Sequence, residues 1–365
     1  MSDSRLIHLL SSTVWGGRER YALDISRGVA ALGRNVCAFT RDAHAVDSPF
    51  KQAGIKVRHL PLGGYWDVPS IFRLAHMLRR TSRHTVIHTH TMRDAFIALV
   101  GRKLSRRRDV RVVYTCHRVA PAKDTALRRR ILRNLHAIIF PSALVADTFL
   151  STWLPGELPF NEERAHVLHN SVYLPVVPNT ELPSSGPIVV SYYGRIVRGK
   201  GLETLICILP ELRGKRTRIC IAGPGDPDYI DSLKRLAERL SVMDMIDWRG
   251  NTLSSEAVAE RSHIGVFPSL EPEAFGLANA TFMAYGRPVV STYNGAQSEY
   301  LTSGEEGILI PPADASALKE ALVALISDAE LRVRMGRAAA KRFNSRLSWE
   351  RFCSKYLDII SGNTQ

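Results

Sequence analysis

One segment of the chain combines an acidic side chain with the start of a predicted helix. In residues 267–290, Glu273 and a turn at Phe275 and Gly276 precede a run rich in alanine and methionine. This run predicts a helix that begins near Gly276 or Leu277. The first N–H groups of a helix have no partner within it, and they attract phosphate oxygens. The segment therefore predicts a site for an anionic group.

A second segment, upstream of the first, supplies positive charge. Residues 194–201 are rich in glycine and carry Arg195, Arg198 and Lys200, between a predicted strand and a predicted helix at 202–212. Guanidinium and ammonium groups pair with phosphate oxygens through charge-assisted hydrogen bonds. Two of these side chains and a helix N-terminus could together hold a diphosphate, while Arg198, between the other two, is expected to face solvent.

Length and composition predict a globular protein of two domains. The chain has 365 residues, 45% of them hydrophobic, which is enough for two well-buried cores. No run approaches about eighteen apolar residues, so no membrane-spanning helix is expected. The first residues lead directly into a strand-like run without the regions of a signal peptide, which makes the cytoplasm the expected compartment. The five cysteines have no paired spacing and predict reduced thiols.

Positive charge is concentrated in the first half of the chain. Residues 1–185 carry 27 Lys and Arg against 14 Asp and Glu, whereas residues 186–365 carry 22 against 21. Three segments hold most of the excess: Arg79, Arg80 and Arg83; Arg102, Lys103, Arg106, Arg107 and Arg108; and Arg128, Arg129, Arg130 and Arg133.

Leucines and isoleucines between these basic residues give an amphipathic helical pattern. Such a pattern is typical of a surface that meets anionic lipid headgroups or another anionic acceptor. A solvated basic face without a partner is one alternative, and a nucleic-acid surface is another. Nucleic acid is disfavoured because neither interleaved aromatic residues nor a nucleic-acid motif accompanies the charge.

Apolar strand-like runs alternate with helical patterns, which predicts parallel sheets covered by helices. The predicted strands of the first half are 5–10, 34–39, 56–60, 85–88, 111–116, 137–140 and 165–168. Those of the second half are 188–193, 218–222, 246–249, 264–267, 288–291 and 307–310. The fold class is therefore α/β, with two doubly wound Rossmann-like domains expected to face each other across a cleft. Ligands would bind at the carboxyl ends of the strands.

The domain boundaries follow from the same alternation. A stretch at 172–187 that is rich in proline and serine has no clear period and predicts a linker. Residues 1–180 would form a basic, acceptor-binding N-terminal domain, and residues 186–345 a C-terminal domain that binds the anionic ligand. Residues 346–365 predict an amphipathic helix that returns to the first domain.

Further short motifs stand near the ends of these strands, in a definite order along the chain. They are Gly16-Gly17 after the first strand, His117 after the fifth, Asn170-Ser-Val before the linker, Gly223-Pro-Gly in the second half, and Glu273-Ala-Phe-Gly276. Together with Arg195 and Lys200, this ordered set resembles the GT-B fold glycosyltransferases of the large retaining family 4, also called group 1. The resemblance covers nearly the whole chain.

The resemblance implies roles for the charged residues. It implies that Arg195 and Lys200 neutralise the charge that builds on a departing nucleotide diphosphate, which would remove the need for a metal ion. It also implies that Glu273 contacts the donor sugar, where a fixed negative charge supports an oxocarbenium-like centre. An ordinary carboxylate at a helix N-terminus is the alternative for Glu273, and Glu271 is a rival for its role.

One position departs from the family's pattern. The family has a second glutamate after Glu273, with seven residues between the two, and this glutamate is assigned to the nucleotide ribose. This chain has Thr281 at that position. A threonine hydroxyl can make a hydrogen bond but lacks the charge and reach of a carboxylate. The departure predicts a weaker or differently built grip on the nucleotide.

The histidines allow two interpretations. By resemblance, His117 contacts the transferred sugar or helps to position the acceptor, and a purely structural histidine is the alternative. His84, His88 and His90 also lie close in sequence, but the only nearby carboxylate is that of Asp94 and no cysteine is near, which disfavours a metal site. We expect His88 or His90 to line the acceptor side of the cleft.

The remaining residues that the resemblance assigns to substrate binding are mostly glycines and small polar groups. They are Gly16, Gly17, Asn170, Gly194, Gly223, Asn251, Phe275, Gly276, Leu277 and Thr281. Asp226 and Asp228 spell an Asp-x-Asp sequence that could hold a divalent cation. Their place after a Gly-Pro-Gly turn predicts instead a cap for a helix that begins near Tyr229. No metal and no cofactor other than the donor substrate is expected.

The resemblance implies a metal-independent, retaining glycosyltransferase of the hexosyltransferase type. The donor would be a nucleotide diphosphate sugar, and the acceptor a cell-envelope glycan, such as lipopolysaccharide, or a lipid-linked molecule. The basic N-terminal domain predicts peripheral attachment to the inner face of the cell membrane. Two alternatives remain: a nucleotide-sugar epimerase of the same fold, and a non-catalytic protein that binds a nucleotide sugar as an assembly partner.

Overall fold

A computed structural model describes residues 4–81 and 84–362 of the chain. The chain divides into two compact units. Unit 1 consists of Met1–Tyr173 together with Trp349–Gln365, and unit 2 consists of Leu174–Ser348. Each unit is built around one parallel sheet.

The sheet of unit 1 has seven parallel strands in the order β3-β2-β1-β4-β5-β6-β7. Their bounds are β1 Arg5–Leu10, β2 Asn35–Thr40, β3 Lys56–His59, β4 Thr85–Thr89, β5 Arg111–Thr115, β6 Ala137–Phe140 and β7 Ala165–Val167. The strand order reverses direction between β1 and β4. Ligands of doubly wound sheets bind at the carboxyl ends of the strands beside such a reversal.

The sheet of unit 2 has six parallel strands in the order β10-β9-β8-β11-β12-β13. Their bounds are β8 Ile188–Tyr193, β9 Thr217–Ala222, β10 Ile246–Gly250, β11 Ile264–Phe267, β12 Val289–Thr292 and β13 Gly307–Ile310. Here the order reverses between β8 and β11, so the loops after these two strands flank the expected ligand position.

Helices cover both faces of the sheets. Their bounds are α1 Gly17–Ala31, α2 His44–Gln52, α3 Val68–Arg79, α4 Met92–Ser105, α5 Ala126–Asn134, α6 Ala143–Leu150, α7 Leu202–Cys207, α8 Leu209–Leu212, α9 Pro227–Arg239, α10 Ser255–Glu260, α11 Leu277–Ala284, α12 Ala315–Ser327, α13 Ala329–Arg342 and α14 Trp349–Ser361. Short 3-10 turns lie at Glu162–Arg164, Met243–Met245 and Ala296–Glu299, and a π-helical turn at Phe343–Leu347. Among the described residues, no helix has both the length and the apolar character needed to cross a bilayer.

The structure confirms all thirteen predicted strands, each within one residue of the predicted bounds. The inner strands were readable because they are buried on both faces and form nearly continuous apolar runs, whereas the edge strands β3, β7 and β10 are partly or mostly exposed. The predicted helix at 202–212 is wrong in one respect, since it is divided into α7 and α8. Pro210 explains the division, because proline has no N–H to continue the hydrogen-bond ladder.

The predicted basic segments coincide with helices of unit 1. Arg79 is the last residue of α3, Arg102 and Lys103 lie in the last turn of α4, and α5 carries the arginine run 128–133 with only Ile131 and Leu132 buried. Arg83, which was grouped with Arg79 and Arg80, lies outside the described residues.

The predicted linker is tied to unit 2 over part of its length. Arg287 is 1% exposed, and its guanidinium donates hydrogen bonds to the backbone oxygens of Thr180 and Glu181, at 3.2 and 2.8 Å. It also donates to the oxygens of Ala259 and Glu260, at 3.0 and 3.1 Å. With a further bond to Asn179 O at 3.4 Å, one buried cation thus satisfies five carbonyl groups and fixes this part of the chain on unit 2.

Candidate functional site

The loops after β8 and β11 lie directly against each other in unit 2. Leu270 N donates a hydrogen bond of 2.8 Å to Gly199 O. Gly201 has a φ of +71°, and a Cβ added there would stand 1.9 Å from Pro268 O. Glycine is therefore required at Gly201, both by backbone conformation and by space. The basic segment 194–201 is in this way seated on the loop that carries Glu273.

The structure brings Lys200 and Glu273 into direct contact. Lys200 Nζ donates a short hydrogen bond to Glu273 Oε1, and Ser269 Oγ donates to the same oxygen at 2.8 Å. The Lys200 side chain is 18% exposed and that of Glu273 27% exposed. The carboxylate therefore stands fixed at the reversal point, with one cation and one hydroxyl as partners. Ser269 was not among the predicted residues.

Arg195 offers an uncompensated positive charge in the same loop. Its side chain is exposed and forms no ion pair or hydrogen bond with any residue in the described part of the chain. Its backbone is held in place because the buried hydroxyl of Tyr192 donates to Arg195 O at 2.8 Å. Arg198 is also exposed, as expected, but its guanidinium lies over the Tyr229 ring, 5.3 Å from the centroid. This cation–π contact turns Arg198 to a partner within the protein.

Glycines allow the backbones of neighbouring loops to approach closely at the carboxyl ends of the strands. Gly223 has a φ of +129°, and a Cβ there would lie 2.0 Å from Gly194 O. Its N–H donates to Gly250 O at 2.6 Å. The loops after β8, β9 and β10 thus approach one another without side chains between them. Asn251 follows β10, two strands from β8, and is exposed.

The prediction that Asp226 and Asp228 form a helix cap is confirmed. Asp226 is the N-cap of α9, and its side chain accepts a hydrogen bond of 3.1 Å from Asp228 N. The helix begins at Pro227, two residues before Tyr229. A cap is the ordinary role of aspartate at this position.

The predicted start of the helix after Glu273 is confirmed, because α11 begins at Leu277. Gly276 has a φ of +90°, and a Cβ there would lie 3.0 Å from the hydroxyl of Tyr300. That hydroxyl donates to Phe275 O at 2.7 Å. The Phe275 side chain is 2% exposed and packs on the Tyr300 ring, 4.9 Å between centroids. Tyr300 supports the turn and was missed, because nothing in its local sequence indicates that contact.

Thr281 is turned into its own helix. It is 1% exposed, and its Oγ1 donates a hydrogen bond of 3.0 Å to Leu277 O. The hydroxyl proton is therefore already used within α11, as is common for threonine in helices. The residue that replaces the family's second glutamate thus has its donor occupied.

In unit 1, three imidazole rings form a hydrogen-bonded chain beside the β1–β4 reversal. His8 Nδ1 lies 3.0 Å from His90 Nε2, and His90 Nδ1 lies 3.0 Å from His117 Nε2. Next to them, His88 bonds the hydroxyl of Tyr356 at 2.8 Å and that of Thr115 at 2.7 Å. His8, His88 and His90 are fully or almost fully buried. His117, the last ring of the hydrogen-bonded series, is half-buried.

These histidines are held neutral. Burial lowers the pKa of His8 to about 3, and burial together with the Arg18 charge lowers the pKa of His117 to about 3. Burial also places the pKa of His88 and His90 well below its usual range. His117 can therefore donate or accept a hydrogen bond at neutral pH, but it does not supply a positive charge.

Three of these rings could in principle offer nitrogen ligands to a metal ion. One ring nitrogen from each of His8, His88 and His90 lies within 4.8 Å of the others. However, both nitrogens of His88 already bond neutral hydroxyl groups, and His8 and His90 bond each other. Hydrogen bonds thus engage every ring nitrogen of these three histidines except His8 Nε2, which is buried without a partner among the described residues. His8 was missed, and the one signal for it was a histidine in an otherwise apolar strand.

The glycine loop lies near His117. Gly16 is the N-cap of α1, with extended backbone, and nothing approaches within 4 Å of a Cβ added at Gly17. From the same helix, the ring of Tyr21 lies 5.1 Å from that of His117. Asn170 is 4% exposed and follows β7, two strands away from β5, which precedes His117. The structure therefore places His117 beside α1, the helix that the glycine loop begins.

Asp94 is a buried carboxyl group. From the sequence it was noted only as the carboxylate nearest to the histidines, and its burial was not predicted. It is 0% exposed, in the first turn of α4, and Ser11 Oγ donates to it at 3.1 Å. Burial raises its pKa to about 6. An aspartate in a first helical turn resembles an ordinary dipole-stabilising residue, which is why its burial was not predicted.

Two doubly wound parallel sheets, one in each unit, define the GT-B fold. Comparison with known families agrees. Residues 16–171 match the family described as Glycosyl transferase 4-like domain, and residues 178–342 match Glycosyl transferases group 1. The chain belongs to this family, glycosyltransferase family 4, and is a retaining, nucleotide-sugar-dependent enzyme.

Individual relatives and solved structures resemble the chain over nearly its whole length. The chain is 26% identical to D-inositol 3-phosphate glycosyltransferase of Xylanimonas cellulosilytica, over 96% of this chain and 92% of the relative. Anabaena HepE, solved with UDP and glucose, superposes with a TM-score of 0.81 at 18% identity, covering 98% of this chain and 99% of HepE. The lipopolysaccharide outer core galactosyltransferase WaaB superposes at 0.72 and 15% identity, covering 99% and 100%. At these identities, the structural likeness establishes the fold.

Proposed function

We propose that the protein is a metal-independent hexosyltransferase that transfers a sugar from a nucleotide diphosphate donor to a hydroxyl group of a cell-envelope glycan or a lipid-linked acceptor. The observation that carries this proposal is the arrangement at the β8–β11 reversal, where Lys200 contacts Glu273 and the exposed Arg195 lies in the same loop as Lys200. UDP is the first nucleotide to test, because HepE has been solved with UDP and glucose.

The proposed mechanism follows from charge. Arg195 and Lys200 would stabilise the negative charge that grows on the leaving diphosphate, assisted by the bare N–H groups at the start of α11. Glu273 would support the positive charge that develops on the sugar. The acceptor hydroxyl would attack from the face that the diphosphate leaves, and a leaving phosphate oxygen would take its proton. No step in this scheme requires a metal ion.

Unit 1 would serve the acceptor. The neutral ring of His117 can position a hydroxyl group by hydrogen bonding without competing for the negative charge of the donor. The α3 region supports attachment to an anionic membrane surface on the cytoplasmic side: Trp66 and Phe72 are 76% and 61% exposed, and Arg73 and Arg79 are exposed beside them. Exposed aromatic and basic side chains together suit the bilayer interface.

The test of the proposed reaction is product analysis. The protein is incubated with UDP, GDP and ADP sugars and with candidate acceptors, after a thermal-shift panel has identified the nucleotide that stabilises it. We expect a new glycoside with the anomeric configuration of the donor. An isomerised donor sugar would instead support an epimerase.

The non-catalytic alternative has one specific observation in its favour. The hydroxyl of Thr281 is bonded to Leu277 O, so the usual carboxylate contact with the ribose has no obvious replacement there. Nucleotide-sugar binding without any conversion in the product analysis would support an assembly partner. Vesicle co-sedimentation across salt concentrations tests the membrane proposal separately, because attraction between charges weakens as salt increases.

A further inference from the structure

A basic pocket lies at the edge of the unit 1 sheet where the amino ends of β5 and β6 meet. Its volume is about 700 Å³. Arg111, the first residue of β5, and His136, the residue before β6, line it, so it stands at the amino ends of these strands. His117, by contrast, follows the carboxyl end of β5. The pocket is therefore separate from the site assigned to the sugar acceptor.

Five arginines from different parts of unit 1 converge on this pocket. They are Arg102 of α4, Arg108 of the turn after it, Arg111 of β5, Arg133 of α5, and Arg164 of the 3-10 turn before β7. His136 and His166 also line the pocket, and burial lowers the pKa of both, so they add hydrogen-bonding groups and no positive charge at neutral pH. Because Arg133 and Arg164 are distant in sequence from the other three arginines, the tertiary fold brings the charges together, which a simple basic helix face would not do.

Backbone contacts orient three of the guanidinium groups without using up their donors. Arg111 donates to Ile360 O at 3.0 Å. Arg164 donates to the oxygens of Arg133 and Leu135, each at 3.2 Å, and both bonds come from one nitrogen. Arg102 donates to Val110 O at 3.5 Å. A guanidinium has five N–H donors, so each of these groups keeps most of its donors for a ligand.

The positive charges of the pocket lack acidic partners. None of the five arginines forms an ion pair within the parts of the chain that the structure describes. The one carboxylate in the lining, Glu163, accepts a hydrogen bond of 2.9 Å from Asn161 Nδ2. Burial, followed by the charges of Arg111 and Arg164, lowers the pKa of His136 to about 4. The pocket thus concentrates positive potential in a concave, partly desolvated space.

We propose that this pocket binds an anion that carries a diphosphate or a similarly charged phosphate group, in addition to the sugar donor bound elsewhere. Arginine forks match the paired oxygens of phosphate groups, and several forks around one cavity select for multiple negative charge. The volume is in the range of pockets that hold small ligands. The phosphate can belong to a soluble molecule or to a lipid headgroup, and the two sources are separated by experiment.

The soluble arm uses inorganic pyrophosphate and calorimetry on the full chain. The variant Arg195→Gln/Lys200→Gln serves as background, so that the proposed donor site does not contribute. Into it we introduce either Arg108→Gln/Arg133→Gln, which removes two pocket cations, or Lys103→Gln/Arg130→Gln. The second pair removes the same charge from exposed positions on α4 and α5 that do not line the pocket. Arg108 and Arg133 are exposed too, so circular dichroism should show intact folding for both pairs.

The lipid arm uses vesicles of phosphatidylcholine with and without phosphatidic acid, and the same two pairs of variants. We expect Arg108→Gln/Arg133→Gln, the pocket pair, to weaken binding of pyrophosphate or of phosphatidic acid vesicles by at least about tenfold. Lys103→Gln/Arg130→Gln, the control pair, should change the same binding constant by no more than about twofold. An effect in the first arm assigns a soluble ligand, and an effect confined to the second assigns a headgroup. Equal effects of the two pairs in both arms, or no effect in either, would overturn the proposal.

This outcome is independent of the proposed transferase function. If Arg195 and Lys200 do not bind the diphosphate of a donor, the background variant binds pyrophosphate with the same stoichiometry as the natural sequence, and the pocket comparison remains valid.

Discussion

Glu273 and Lys200 are partners in the structure but have different roles in the proposed reaction. We predict that Glu273→Gln reduces transfer by on the order of a hundredfold or more, because the charge that faces the sugar is lost. Nucleotide affinity should be unchanged or higher, since Lys200 loses its competing carboxylate. Single-turnover transfer assays and calorimetry with the nucleotide measure the two quantities separately.

Glu271 provides the matched control for this prediction. It is exposed, two residues earlier, and it lies against Gly199 of the basic loop. Glu271→Gln should leave transfer nearly unchanged. A larger loss of transfer in the Glu271 variant than in the Glu273 variant would show that Glu271, and not Glu273, contacts the sugar.

Single residues were predictable from sequence only where a local motif exists. The helix start at Leu277 and the Asp226 cap follow from short-range rules, and both are confirmed. The His8–His90–His117 hydrogen-bonded series has no such rule, because it joins a residue of β1 to residues that follow the carboxyl ends of β4 and β5, and only the sheet order makes these neighbours. The Lys200–Glu273 bond was likewise not predicted, although both residues were.

At the scale of elements, the site depends on how closely the loop after β8 packs on the loop after β11. We predict that Gly201→Ala destabilises the protein more than Gly214→Ala does. Both glycines have positive φ values, +71° and +87°, so both variants cost on the order of 1 kcal/mol from the backbone. Only the Gly201 variant adds a clash with Pro268 O, at 1.9 Å.

The clash at Gly201 should cost a further 1–3 kcal/mol or so, by the usual price of overpacking. Denaturant unfolding measures the difference, with Gly214→Ala as the reference. We also expect the Gly201 variant to bind nucleotide more weakly, because the basic loop must shift. Equal midpoints and equal nucleotide affinities would show that the two loops are not tightly coupled.

The elements themselves were largely readable from the sequence. All thirteen strands were predicted, the inner ones because buried parallel strands produce apolar runs. The division of the 202–212 helix depends on the single residue Pro210. The basic pocket was not predicted as a pocket. Arg102, Arg108 and Arg133 were noted as charges of amphipathic segments, whereas Arg111 and Arg164 were not, and only the sheet order shows that α4, β5 and α5 bring them to one place.

At the scale of the whole molecule, buried neutral histidines make the fold sensitive to acid. Lowered pKa values are found for His8, His88, His90, His117, His136, His166 and His263. In the unfolded chain these groups titrate near pH 6.5. Between that pH and their folded pKa values the unfolded chain binds more protons, so stability is complete above pH 6.5 and is lost as the pH falls.

We therefore predict a markedly lower melting temperature at pH 5 than at pH 7.5. At pH 5, fully buried His8 alone contributes about 2 kcal/mol to this loss. Asp94 acts in the opposite direction. Because its pKa is raised to about 6 in the folded chain, the folded chain binds this proton at a higher pH than the unfolded chain does, which adds stability as the pH falls. Differential scanning calorimetry across this range measures the sum, and a melting temperature that is constant or rises on acidification contradicts the buried histidine cluster.

The central claim is that Arg195 and Lys200 hold the diphosphate of a nucleotide sugar. The most direct measurement is calorimetric binding of the nucleoside diphosphate that the thermal-shift panel selects, to the natural sequence and to Arg195→Gln/Lys200→Gln. Losing two charge-assisted contacts should weaken binding by on the order of a hundredfold. Arg198→Gln, which alters the loop cation engaged with Tyr229, should change it little. Unchanged affinity in the double variant would contradict the account.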